Sequence, residues 1–466
     1  MANLLALLGH AASSLNAHRA AVATAGHNIQ NINTPGYSRQ QANLAPVPAD
    51  RIGNHYIGGG VQLQNITQIR DRFFEMQFPQ ATAAAARSQA ESRALQSVYI
   101  FNPQLQNGVG DTLAKFYADI RTLSADAGNP GLRQQAVSSS RALALSFNNA
   151  ATSLRQSRLG LDAQVENLTA KASALSQEIA SLNRQIRIAR ASTSGGAPND
   201  LMDQRTRARD ELAQLTGANE ILDGEGNVSM VLPNGASLVN GDFAARIETF
   251  PDPANGGHLG LRLIKFDGST EAIAAMGGSI GGSLAARDGA LRTALDQLDQ
   301  LAFDFAQAVN AVHQAGFDLQ GNPGGPLFHA GPVAAGAASR IVVEAAILAN
   351  PDLLAASDTA AGAPGNGANF IALGAIEDQS LASGRNPMST IAGIISDFGA
   401  ASSRVTALAA HDTALLQNLD SMRESVSGVS LDEELIRVQQ AQRAFDAVSK
   451  VISVTDELLD TLMRLK

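Results

Sequence analysis

The sequence predicts a mainly α fold with a β-rich insertion: terminal helices forming a coiled coil, a helical domain with a long αα-hairpin, and an outer β-rich domain. Three observations carry this. Apolar residues recur at heptad spacing at both ends of the chain and again in its middle. Aromatic residues make up only 4% of the 466 residues and Trp is absent, so the helices must pack through small and aliphatic side chains. Asp-Gly and Asn-Gly hairpin signals cluster after residue 219.

At the start, Leu4, Leu8, Ala11, Leu15, His18, Val22, Ala25 and Ile29 step by four and three, the seam of a coiled-coil helix ~39 Å long. Leu5 and Leu7 widen its apolar face. The pattern runs through the apolar Leu4 and Leu8 region with no preceding Lys or Arg, so a helix is expected there and not a cleaved signal peptide. A bend follows in "HNIQNINTPGYSRQ", residues 27–40. Asn28, Asn31 and Asn33 favour turns, Pro35 disfavours helix at Thr34, and Thr34-Pro35-Gly36-Tyr37 fits a type II turn with Gly at its third position. Residues 1–45 thus read as coiled-coil helix plus bend, and 46–218 as the first part of a helical domain. Within the latter, Leu161, Val165, Leu168, Ala172, Leu175, Ile179, Leu182, Ile186 and Ala189 form one arm of an αα-hairpin over 150–215.

From 219 to 282 short apolar runs between Asp-Gly, Pro-Asn-Gly and Asn-Gly read as a β-rich insertion. Helix returns over 283–325. A Gly- and Ala-rich outer region with some strand, around "RIVVEAAI", is expected over 326–390, and the last part of the helical domain over 391–429. At the C-terminus, 430–466, Leu431, Val438, Ala441, Phe445, Val448, Ile452, Thr455, Leu459 and Leu462 form a second seam, with Glu434 the exception and Leu435, Leu458 and Leu465 broadening it. Ser430 and Glu433 stand at capping-box spacing.

Ordering a residue's backbone costs about 1–2 kcal/mol, and a large apolar side chain returns about 1.5–3 kcal/mol only when covered. The two terminal helices can cover each other, yet their widened stripes leave apolar surface in water. Each end therefore calls for neighbours beyond one chain. This makes Leu4, Leu8, Leu15, Val22 and Ile29, with Leu431, Leu435, Val438, Phe445, Val448, Ile452, Leu459 and Leu462, the candidate assembly interface. The candidate bend motif is Asn28, Asn33, Pro35, Gly36 and Tyr37.

Net charge is −9 without a basic block, which argues against nucleic-acid binding and a polybasic membrane anchor. The absence of Cys removes disulfides, thiolate metal sites and thiol nucleophiles. No H-E-x-x-H, Walker A or G-x-S-x-G motif occurs, so neither a cofactor nor an enzyme activity is expected. The competing enzymatic reading is a hydrolase using His258 or His329 with a nearby Asp.

"GHNIQNINTPGYSRQ" and "SGVSLDEELIRVQQAQRAFDAVSKVISVTDELLDTLMRL" resemble the terminal signatures of bacterial flagellar axial proteins, the rod, hook and hook-associated family. The Ser-Arg-Gln and Ser-Gly-Val details, with "RDGALRTALDQLDQLAFDFAQAVNAVHQAGFDLQGNPGGPLF" at 287–328, resemble its hook-associated branch. The resemblance implies a structural protein at the hook–filament junction, exported through the flagellar type III apparatus without a cleaved signal. It also implies partners: copies of itself in a ring, the hook protein, a second junction protein, and an export chaperone on the C-terminal amphipathic segment. The chain is compact for this family, which bears on the size of its outer domain.

Overall fold

The computed structural model describes residues 2–34, 36–52, 55–101, 108–192, 197–223, 226–273 and 275–464. Pro35, Leu465 and the turn of the αα-hairpin at 193–196 lie outside the described residues.

Helix α1 (Ala2–Gln30) leads through the bend into a ribbon that the helical reading of 46–218 did not anticipate. Strands β1 (Gln40–Pro46) and β4 (Val61–Gln68) pair antiparallel from Gln40 opposite Gln68 to Pro46 opposite Val61, and β2 (Asp50–Ile52) pairs with β3 (His55–Ile57) beyond them. The alternation of Val61, Leu63 with Gln62, Gln64 is the period-2 signal of a strand, too short and too polar to stand out beside the heptads.

The body follows: α2 (Arg72–Gln96), α3 (Val109–Ala125), α4 (Pro130–Ser192) and α5 (Asn199–Thr216). Asp71 caps α2 by accepting from the Phe73 N–H at 2.8 Å. Asn129 does the same for α4, from Gly131 at 3.0 Å and Leu132 at 3.2 Å, with Pro130 at the first helical position. Helix α4 begins twenty residues before the expected hairpin arm.

Next come two antiparallel sheets. One has order β5 (Asn219–Leu222), β6 (Val228–Val231), β7 (Ser237–Asn240), β8 (Phe243–Ala244). The other contains β9 (Arg246–Pro251), β10 (Leu259–Ile264) and β11 (Thr270–Ala272), with β10 central. Helices α6 (Gly278–Asp288) and α7 (Ala290–Ala315) return to the body. Then follow β12 (Phe328–His329), α8 (Ala337–Arg340), β13 (Val342–Val343), α9 (Ala345–Ala349), α10 (Ala368–Ala375), α11 (Pro387–Ser427) and α12 (Leu431–Arg464).

Two hydrophobic cores result. The body core centres on Phe116, Phe147, Phe305 and Phe328, with Phe116 and Phe305 edge to face at 5.6 Å. Among the described residues, every buried Phe and Tyr lies there. The second core joins Val165, Ala172 and Ile179 of α4 to Leu212 of α5 and to Met230, Leu238, Ile247 and Leu263 of the sheets.

The segment 326–390 is not an outer region. Leu327, Phe328, Ile341, Ile347, Leu354, Phe370 and Leu373 are all buried in the body core. The expected strand is only two residues long and gives way to α9. The segment lacks regular periodicity because side chains, not ladders, satisfy much of its backbone. Arg133, fully buried, donates to Ala127 O at 2.7 Å, Pro351 O at 3.1 Å and Leu354 O at 2.9 Å.

Candidate assembly site at the chain termini

Helices α1 and α12 pack antiparallel: Asn28 meets Glu434 at one end, while His18 and Ala444 line one cleft further along. The face that α1 buries consists of Ala11, Ser14, Ala17, Thr24, Ala25 and Asn28, small residues that allow close approach. The larger residues Leu4, Leu8, Leu15, Val22 and Ile29 are half-buried, and Leu5 and Leu7 are exposed. The ribbon also rests on α1, where Ser14 Oγ accepts from Val61 N at 3.1 Å.

On α12 the buried line is Glu434, Ala441 and Thr455, with Val438, Phe445, Val448, Ile452 and Leu459 half-buried beside it. Leu431 and Leu462, placed by the heptad reading in the seam, and Leu435, which broadens it, stay 47%, 45% and 46% exposed in the single chain. Glu434, read as the break in the pattern, is 1% exposed. The physical reason is a polar clasp that fixes the rotation of the helix at its start.

Asn28 is the centre of that clasp and is fully buried. Its Nδ2 donates to Gln40 O at 2.8 Å and to Glu434 Oε2 at 3.0 Å. Its Oδ1 accepts from Gln40 N at 2.9 Å and from the Tyr37 hydroxyl at 2.7 Å. The side-chain amide thus pairs with both backbone groups of Gln40 as a peptide unit of a neighbouring strand would, which needs a donor and an acceptor one methylene from the backbone.

Arg39, 8% exposed, donates from Nε to Glu434 Oε1 at 2.7 Å and from Nη2 to Glu433 Oε2 at 2.6 Å. Both oxygens of Glu434 are therefore occupied. Burial works to lower the Arg39 pKa, but hydrogen bonds to Glu433 and Glu434 outweigh it and keep the guanidinium charged. Burial, reinforced by Asp203, Asp200 and Glu434, raises the Tyr37 phenol above its usual range, so it remains a donor. The Glu433 side chain serves Arg39, while its backbone N lies 3.5 Å from Ser430 Oγ, so the expected capping box is only half made.

The bend is closed by Thr34 N to Asn31 O at 2.9 Å and Tyr37 N to Thr34 O at 3.1 Å. Gly36 has φ +72°, the value its place in a type II turn requires. Asn33 is exposed, and its neighbour Asn31 instead ties back to His27 O at 3.0 Å. A Cβ on Gly36 would lie 2.7 Å from Arg207 Cγ. Gly36→Val is therefore expected to cost about 1–2 kcal/mol, seen as roughly tenfold faster hydrogen exchange over 27–40. Unchanged exchange would make the turn an ordinary loop.

Sequence reasoning named Asn28, Gly36 and Tyr37 but missed the parts played by Arg39, Gln40 and Glu434. The available signal was a carboxylate interrupting an otherwise apolar seam. As for the histidines of the hydrolase reading, His258 Nδ1 lies 2.5 Å from Asp162 Oδ2, and Asp162 also holds Arg287 Nη1 at 2.5 Å, a network tying α4 to α6 and to the residue before β10. His329 pairs with Glu344.

A model of the flagellar hook-associated protein FlgK helical domain matches residues 96–328, half of the chain, and one of the flagellar basal body rod FlgEFG protein C-terminal region matches 421–465. Flagellar hook-associated protein 1 of Bacillus subtilis is 26% identical over 97% of this chain and 96% of its own length. That of Escherichia coli is 25% identical over 99% of this chain and all of its own, in an alignment of 550 positions, so it carries segments this chain lacks. The solved structure of the flagellar hook junction protein FlgK from Burkholderia pseudomallei superposes with a TM-score of 0.68 at 19% identity, over 75% of this chain and 100% of that one. The two family models thus fall on the body and on the very helix that carries Glu434, and the chain belongs to the FlgK family of flagellar hook-associated proteins.

Proposed function

We propose that this protein is a structural component of the bacterial flagellum that joins hook to filament by helical self-assembly through its terminal helices. The observation that carries the reading is the state of those helices. They are locked in register by the clasp of Asn28, Arg39 and Glu434, yet Leu5, Leu7, Leu431, Leu435, Val451, Leu458 and Leu462 remain exposed along them. An apolar surface of this kind, on a pair already covered on one side, is suited to copies packed around a tube. In this reading the partners are further copies in a ring, the hook protein below, a second junction protein above, and an export chaperone that covers the C-terminal stripe before transit through the flagellar type III apparatus.

Immunogold labelling of isolated hook–basal bodies tests the position: the expected result is a ring directly on the hook tip. Label along the hook, in the rod or at a second layer would favour another axial protein instead. Deleting 1–30 or 431–466 should abolish assembly and leave the body folded. Phe445→Asp places a charge on the half-buried seam of α12, at an expected cost of several kcal/mol once the seam is covered. Swimming should be lost with an unchanged circular dichroism spectrum of the body; normal swimming would contradict the seam.

A further inference from the structure

The terminal unit, made of α1, α12 and the ribbon, is joined to the body by two chain crossings, 69–71 into α2 and 428–430 into α12. The Arg39 backbone bridges both: its N–H donates to Ser427 O at 3.1 Å and its carbonyl accepts from Ile69 N at 2.8 Å. Two crossings define a line and leave rotation about it free. A third set of contacts removes that freedom, and it comes from a part of the chain far away in sequence, the first turn of α5.

There Asn199, 7% exposed, donates from Nδ2 to Gln40 Oε1 and to Ile66 O, both at 3.2 Å, and its carbonyl accepts from Gln68 Nε2 at 3.0 Å. Asp200 Oδ1 accepts from Gln40 Nε2 at 3.3 Å. One turn on, Asp203 pairs with Arg70 at 2.6 Å, and Arg70 also donates to Thr206 at 2.8 Å. An open groove of about 580 Å³ lies alongside, lined by Ala23, His27, Ile66 and Pro198. These polar contacts, together with the Gly36 bend packed on Arg207 of α5, hold the angle.

We propose that the first turn of α5 sets the angle between the tube-forming helices and the body, with Asn199 as its positioning residue. The proposal rests on the junction reading for why the angle matters: in a ring every copy must hold the same one.

Cryo-electron microscopy of isolated hook–filament junctions carrying Asn199→Ala tests it. The inner wall built by α1 and α12 should remain as sharp as in the parent, while the body density weakens as its angle spreads. Gln40→Ala should give the same spread, and the double variant no more than the larger single effect, because both act on one contact. Circular dichroism melting of purified Asn199→Ala should stay within about 2 °C of the parent. A body as sharp as in the parent, loss of the inner wall, or a larger melting drop would each overturn the angle-setting role. Immunogold label away from the hook tip would undo the junction reading instead, leaving the strut to be judged by the same density wherever the ring sits.

Discussion

Glu434→Ala is expected to release the two terminal helices from each other while the body stays folded. The substitution leaves the Arg39 guanidinium facing only Glu433, and removes one partner of the buried Asn28 amide. Breaking a buried charge pair from one side typically costs about 3–5 kcal/mol. The small residues Ala11, Ala17 and Ala25 at the same interface each bury little apolar area and offset only part of that loss. Purified Glu434→Ala should lose hydrogen-exchange protection across α1 and α12 at an unchanged body melting temperature, and cells carrying it should show hooks without filaments. Glu434→Gln, which keeps the shape and one acceptor, should fall between. Wild-type protection in the Ala variant would reduce the clasp to a surface feature.

Arg133→Ala is expected to act in the opposite way, lowering the body's melting temperature and sparing the termini. Arg133 is fully buried; burial pulls its pKa down to about 10 against the opposing charges of Asp352 and Asp318, so it stays charged at neutral pH. It is held by carbonyls at Ala127, Pro351 and Leu354 and by the Phe370 ring 5.6 Å away. Removing it leaves the Ala127 and Leu354 carbonyls without this donor, at about 1–3 kcal/mol each where water does not reach them, while Pro351 O keeps the Leu354 N–H at 3.1 Å. The expected fall is roughly 10 °C, scaled for a unit of 150–250 residues. Arg133→Met, which fills the space without the bonds, should recover part of it. A fall under about 2 °C in Arg133→Ala would show that the 351–354 segment is held by other means.

The α-rich class was legible because heptads repeat: the spacing from Leu161 to Ile186 describes a surface that is buried along its length. The body's irregular segment was not legible for the converse reason. Among the bonds that hold 351–354 are those of an arginine more than two hundred positions earlier, and no periodicity records them. The same holds for the site. Asn28, Gly36 and Tyr37 could be named because turn chemistry is local. The pairing of Asn28 with Glu434 spans 406 positions, and a carboxylate in a seam reads as a defect until its partners are known. The ribbon between β1 and β4 escaped because its residues are mostly half-buried or exposed on both faces, which dilutes the alternation that marks a strand.

Helix α4 has a mechanical consequence. Its first half lies in the body core and its second half, from Val165 on, forms one wall of the core beneath the sheets. With 63 residues it is a single girder of about 95 Å. A force applied to the outer sheets is carried along its axis and not absorbed at a flexible linker. Bending stress on the sheets would therefore reach α1 and α12 through α5 and the crossings at 69–71 and 428–430, where the polar contacts of Asn199 and Arg70 take the load.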